Sequence, residues 1–116
     1  MMWAVKFCEE ARKDLNKLDN SLIKQVLAGI KKVSQNPLPQ SEGGYGKPLG
    51  SNNHTDLTGF FKIKYQGIGI RVVYTIVRDD RVMNIIVVSI RSDDVSYKEA
   101  HKRKLKYGKH IYEDIF

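Results

Sequence analysis

Cysteine is almost absent from this chain. Cys8 is the single one in 116 residues, which rules out a disulfide within the chain, and no cluster of cysteine and histidine has the spacing of a zinc site. Long apolar runs are absent as well. The longest, Ile85 to Ile90, is broken by Ser89 and falls far short of the ~20 residues that a membrane-spanning helix needs. Met1 to Phe7 meets the charges of Glu9, Glu10, Arg12 and Lys13 before the apolar core of a signal peptide could form. These shortages exclude a helical membrane protein and a disulfide-stapled scaffold. They set the expectation of a cytoplasmic protein with no membrane contact, no metal and no cofactor.

Acidic side chains are also scarce. The count of 13 Asp and Glu against 20 Lys and Arg leaves a formal net charge of +7, a positive potential suited to polyanions or an acidic partner. The excess is spread along the chain and is densest in His101-Lys102-Arg103-Lys104-Leu105-Lys106. With 41% hydrophobic residues over a length typical of one core, residues 1–116 are expected to form a single domain.

Trp3, Val5 and Phe7 alternate with Ala4 and Lys6, which predicts a short first strand, and Glu9 and Glu10 suit a helix N-terminus directly after it. Phe7, Ala11, Leu15 and Leu18 then recur at helical spacing. Asp19-Asn20-Ser21 supplies an N-cap for a second helix with the stripe Leu22, Ile23, Val26, Leu27, Ile30 and Val33, which Asn36-Pro37 stops. The short joint predicts an antiparallel helical hairpin. Residues 36–53, with Pro37, Pro39, Pro48 and several glycines, lack periodicity and read as a loop. Three antiparallel strands follow: His54 to Tyr65, Ile70 to Arg78 and Arg81 to Arg91, joined at Gln66-Gly67-Ile68-Gly69 and Asp79-Asp80. Ser92-Asp93-Asp94 opens a basic helix that Gly108 ends, and the last eight residues are apolar enough to dock. The order βααβββα implies an α+β fold: a twisted antiparallel sheet packed against an N-terminal helical hairpin, with a C-terminal helix.

One strand carries the chemistry. Residues two apart share a face, so Lys62 and Lys64 point one way, about 7 Å apart, while Phe61, Ile63 and Tyr65 point into the core. A turn at Gly67 and Ile68 sets Arg71 opposite Lys64, about 5 Å across the strands. Three cations this close repel unless an anion or an acidic side chain sits among them, and phosphate fits. Arg91 and Tyr97 reach the rim of the patch; arginine grips phosphate in a planar fork and tyrosine stacks a base or exchanges a proton. Plain solvation of a sheet face accounts for the same lysines, and a core edge accounts for Tyr97. His101 lies one helical turn after Tyr97 and so shares its face, where it is solvated or joins the patch, with Lys102 next to it in sequence. His54 and His110 have no evident partner, Cys8 reads as a packing residue, and Asp93 and Asp94 read as helix caps.

Together, Phe7-Cys8-Glu9-Glu10-Ala11-Arg12-Lys13-Asp14-Leu15, Asn36-Pro37, Gly46-Lys47-Pro48-Leu49, Leu57-Thr58-Gly59-Phe60-Phe61-Lys62-Ile63-Lys64, Ile70-Arg71-Val72-Val73-Tyr74 and Tyr97 resemble the RelE/ParE superfamily of type II toxin-antitoxin toxins. The resemblance covers residues 3 to about 103. It implies a RelE-like endoribonuclease that cuts messenger RNA on the ribosome without a metal, through attack of the ribose 2′-hydroxyl on the adjacent phosphate. By position, Lys62 and Lys64 would hold the phosphate, and Arg71 would stabilise the transition-state charge. Arg91 would assist the leaving oxygen, Tyr97 would stack the base or accept the proton, and His101 and Lys102 would add RNA contacts. The segment Ser89 to Tyr97 departs from the common Gly-His-Arg or Gly-Lys-Arg form, and the tail after Arg103 outruns many members. The extra Lys62 and the aromatic Tyr97 favour the RelE branch; the resemblance also admits the ParE branch, which inhibits DNA gyrase, and an inactive member that only binds. In either toxin branch it implies a cognate antitoxin, placed beside the hairpin and last helix on Leu22, Val26 and Ile111, with ribosome and mRNA as further partners of the RNA-cleaving branch.

Overall fold

The computed structural model describes residues 2–52, 55–90 and 92–116; the expected roles of Arg91 and His54 fall on residues outside these. The alternation after Trp3 gives strand β1 (Ala4–Phe7), and Cys8 leads directly into α1 (Glu9–Asn16), whose first turn carries Glu9 and Glu10 against the positive helix end. Asp19 caps α2 (Asn20–Val33), its carboxylate accepting a hydrogen bond from the Leu22 amide at 3.0 Å. Then come β2 (Lys47–Asn52), β3 (Thr55–Tyr65), β4 (Ile70–Val77), β5 (Val82–Ser89), α3 (Asp93–Tyr107) and a 3-10 turn over Gly108–Tyr112. Among the described residues, no helix is long and apolar enough to cross a membrane.

The strands form one five-stranded sheet in the order β1-β5-β4-β3-β2. The class and the helix-strand succession match the expectation, with two differences in the sheet. First, it is mixed: β1 runs parallel to β5, while the other pairs are antiparallel. Parallel pairing is a choice between non-consecutive strands, so the local pattern does not carry it. Second, the segment expected to be all loop contains a 3-10 turn, Gln40–Glu42, and the edge strand β2. The backbone of β3 templates β2, whose Pro48 and register shift between Pro48 and Gly50 hide any alternation.

The sheet is covered on both faces, which explains why every residue from Val82 to Val88 is buried. On one side lie the N-terminal helices. Tyr65 donates from its hydroxyl to the Val26 carbonyl at 2.6 Å, and its ring lies where a Cβ on Gly29 would come within 2.4 Å, so only glycine permits this approach of α2. Tyr74, stacked on Phe61 at 5.3 Å, donates to the Pro37 carbonyl at 3.0 Å. On the other side α3 and the tail form a second layer. Thr75 and Asn84, opposite each other on β4 and β5, donate to the Ile111 carbonyl at 2.5 and 3.2 Å, and Asn84 also reaches the Glu113 carbonyl. The tail docks as expected, with Ile111 fully buried and Phe116 edge-on to Tyr107. Val26 and Ile111 are both fully buried, so those two offer an antitoxin no contact surface, while Leu22 is half-buried.

An ion pair stands in for the end of a strand. Pairing of β1 with β5 stops at Phe7 opposite Ile85, leaving the outer edge of β5 to be satisfied otherwise. Asp14 of α1 accepts from the Val88 amide at 3.1 Å, and Arg103 of α3 donates to the Ile86 carbonyl at 2.7 Å. Arg103 also donates to both Asp14 oxygens, at 2.6 and 3.2 Å, so the two side chains clasp the helical layers together around the sheet edge.

Candidate nucleic-acid interface

Positive-φ glycines at 67 and 69 close the turn between β3 and β4 and so set its register: Lys64 lies opposite Arg71 and Lys62 opposite Val73. Residues in register share a face. Lys62, Lys64 and Arg71 therefore project from the side of the sheet that carries α3, as the strand period predicts. Tyr97, one turn into α3, comes to them: it is half-buried against the core, and the Lys62 ammonium lies 6.0 Å from its ring centroid. This joins Lys62 with Tyr97 and Lys64 with Arg71. His101, half-buried, and Lys102, exposed, lie on the following turn and are not hydrogen-bonded or ion-paired to that group among the described residues.

The structure also supplies an acid. Asp93 accepts a hydrogen bond from Arg71 Nε, and Arg71 Nη1 donates to the Gly69 carbonyl at 3.1 Å. The helix cap is made instead by Ser92, whose hydroxyl accepts from the Val95 amide at 3.5 Å, while the exposed Asp94 pairs with Lys98 at 3.3 Å. Thus Asp93 ties the start of α3 to β4 rather than capping the helix. Lys62 and Lys64 have no acidic partner among the described residues, and neither does Lys47, which β2 places directly opposite Lys62. Sequence reasoning had no means to place Lys47 in the row, because its position follows from pairing of β2 that the irregular segment conceals.

Most cations of α3 are different. Lys98, Arg103, Lys104 and Lys106 pair with Asp94, Asp14, Asp56 and Glu10 respectively, and Arg103 also with Glu99. Burial pushes the Glu10 carboxyl up, but hydrogen bonds from Lys106 and Tyr107 outweigh it and hold the pKa down to about 2. Burial pushes the Cys8 thiol up, which keeps it protonated and fits a packing role rather than a nucleophile. A cleft of about 400 Å³ opens between α1 and α3 along the β5 edge, with Leu18, Val88, Ile90 and Val95 on its walls and the Asp14 and Arg103 pair in its lining.

Fold and site together define a small α+β protein that presents a row of uncompensated lysines beside an aromatic ring. Comparison with known proteins gives this class a family. Residues 5–95 match the model of the ParE toxin of type II toxin-antitoxin systems. A RelE-like toxin protein of Escherichia coli is 27% identical over 103 residues, covering 89% of this chain and 98% of that protein. Among solved structures, a mutant of the E. coli toxin RelE in the free state superposes with a TM-score of 0.69 at 25% identity, covering 89% of this chain and 98% of that one. The RelBE2 toxin-antitoxin complex of Mycobacterium tuberculosis gives 0.63 at 27% identity, covering 78% of this chain and 100% of that one. The chain belongs to the ParE toxin family, within the RelE/ParE superfamily, and is a toxin of a toxin-antitoxin system.

Proposed function

We propose that this toxin is a metal-independent endoribonuclease that cuts messenger RNA on the ribosome and so halts translation in the cytoplasm. The observation that carries the reading is the pair Lys62 and Lys64, held on one face with no acid among the described residues to neutralise them, and with Tyr97 against Lys62. In the reaction the ribose 2′-oxygen attacks the adjacent phosphorus, its proton passes to a base, and the bond to the 5′-oxygen breaks as that oxygen takes up a proton. The products are a 2′,3′-cyclic phosphate and a free 5′-hydroxyl. Lys62 and Lys64 bind the phosphate where negative charge accumulates, and Arg71 joins them when the phosphate competes with Asp93 for its guanidinium. Tyr97 stacks the neighbouring base or takes the 2′-proton, and Arg91 assists the leaving oxygen by neutralising its charge as it takes a proton from water. His101 and Lys102 contact RNA further along α3.

The protein partner is a cognate antitoxin, as in the RelBE2 complex, acidic enough to cover the lysine row. Its apolar contact falls in the cleft at the β5 edge, where Ile90 is 63% exposed. Substituting Ile90 and Val95 by aspartate should weaken a co-purified complex; undiminished binding would move the contact elsewhere.

A second reading is inhibition of DNA gyrase, favoured by the family model that matches, which is that of a ParE toxin. The two separate in a purified translation system with a defined message. Ribosome-dependent cuts by wild type, lost in folded Lys64→Ala and Arg71→Ala variants, establish the nuclease. An intact message, with supercoiling blocked in a gyrase assay, establishes the other. An inactive, binding-only protein gives neither.

A further inference from the structure

We propose that the cation row continues onto the edge strand through Lys47, so that this face is a track for an extended single-stranded RNA backbone rather than a pocket for one phosphate. The proposal rests on the RNA reading above and names the form of substrate that site takes.

Lys47 and Lys62 are register partners on β2 and β3, as Lys64 and Arg71 are on β3 and β4. Each pair sets two like charges directly opposite each other, an arrangement that destabilises a sheet unless something anionic lies over it. Asp93 relieves the Arg71 end. At the other end Lys47, Lys62 and Lys64 have no acid among the described residues, and Lys47 is exposed on an edge that no further strand covers. The four cations run diagonally from β2 to β4, across two inter-strand spacings or about 10 Å, which exceeds the reach of one phosphate. The competing role for an edge lysine is to repel another sheet edge. Here Pro48 and the register shift beside it already spoil that edge for pairing. Lys47 therefore positions the phosphate next to the one that Lys62 and Lys64 hold, and short substrates lose its contribution.

The test is fluorescence anisotropy with labelled 2′-O-methyl RNA, which lacks the attacking hydroxyl, as a dodecamer and as a dinucleotide, at several salt concentrations. Lys47→Ala should bind the dodecamer several-fold more weakly, with the slope of log affinity against log salt reduced by about 0.7, the increment for one phosphate on a single strand. The dinucleotide should not register the change. Lys47→Arg should restore the dodecamer affinity, and urea denaturation should find Lys47→Ala as stable as wild type or more so. If Lys47→Ala keeps wild-type affinity and slope while Lys64→Ala loses both, the track is refuted and the RNA reading stands. The same unchanged affinity with new self-association would make Lys47 an edge guard and likewise refute the track. If wild type does not bind the dodecamer, or Lys64→Ala is also without effect, the track is refuted, and the ribosome-dependent cutting assay decides the RNA reading separately.

Discussion

Two parts of this molecule are rich in lysine and arginine and use them in opposite ways. On α3, Lys98, Arg103, Lys104 and Lys106 each meet a carboxylate, three of them from distant parts of the chain: Asp14, Asp56 and Glu10. On β2 and β3, Lys47, Lys62 and Lys64 meet none among the described residues, and two of them face each other across the strands. The helix is the denser stretch in sequence, yet its charge is largely consumed in holding the helix to α1 and to the sheet. The strand face is sparser and keeps its field. Cation density along the sequence therefore does not report how much of that charge the fold compensates.

The comparison is broken most directly at Arg103. Arg103→Met leaves the half-buried Asp14 carboxylate without its partner and removes the bond to the Ile86 carbonyl, so stability should fall by about 3–5 kcal/mol in urea denaturation. Adding Asp14→Leu should recover only part of that loss, because the Val88 amide and the Ile86 carbonyl then both lack their side-chain partners. Lys64→Ala should do the reverse: unfolding free energy within about 0.5 kcal/mol of wild type, with the rate of message cleavage down on the order of 100-fold. A destabilised Lys64→Ala would put Lys64 in the same structural role as the α3 cations.

Asp93 is the joint between the two regions, and Asp93→Asn sharpens the contrast. With the carboxylate gone the phosphate no longer competes for Arg71, so RNA binding should tighten, while stability falls by about 1 kcal/mol or less because Asp93 is 38% exposed. The remaining effect, at Glu10, shows as pH dependence. Its pKa, lowered to about 2 in the folded protein, means that its contribution is fully present above the unfolded carboxylate value and is lost as pH falls from about 4.5 to 2. Glu10→Gln should flatten the acid limb of a stability profile in that window and leave the lysine row's RNA affinity unchanged.

Much of the architecture was legible in local pattern. The stripes of α1 and α2, the Asp19 cap of α2, the glycine turn that sets Lys64 opposite Arg71, and the docking of the tail through Ile111 all follow from residues near each other in sequence. Parallel pairing of β1, the strand hidden in the segment with Pro48, and the capture of Arg71 by Asp93 were not legible. Each depends on elements that meet only after the chain has closed on itself, and Asp93 in isolation is as good a helix cap as Ser92. The buried surroundings of Val26 were missed for the same reason: a helical stripe reports which face is apolar and not whether a partner molecule or the sheet covers it.

By itself, then, the sequence determined that Lys62 and Lys64 share a face with Arg71, because a strand has a period of two and a glycine turn has a fixed register. The tertiary structure alone decided which cations remain uncompensated. Arg103 finds Asp14 across 89 residues of chain, Lys106 finds Glu10 across 96 and Lys104 finds Asp56 across 48, and an ion pair forms wherever folding brings opposite charges within contact distance, whatever their separation along the backbone.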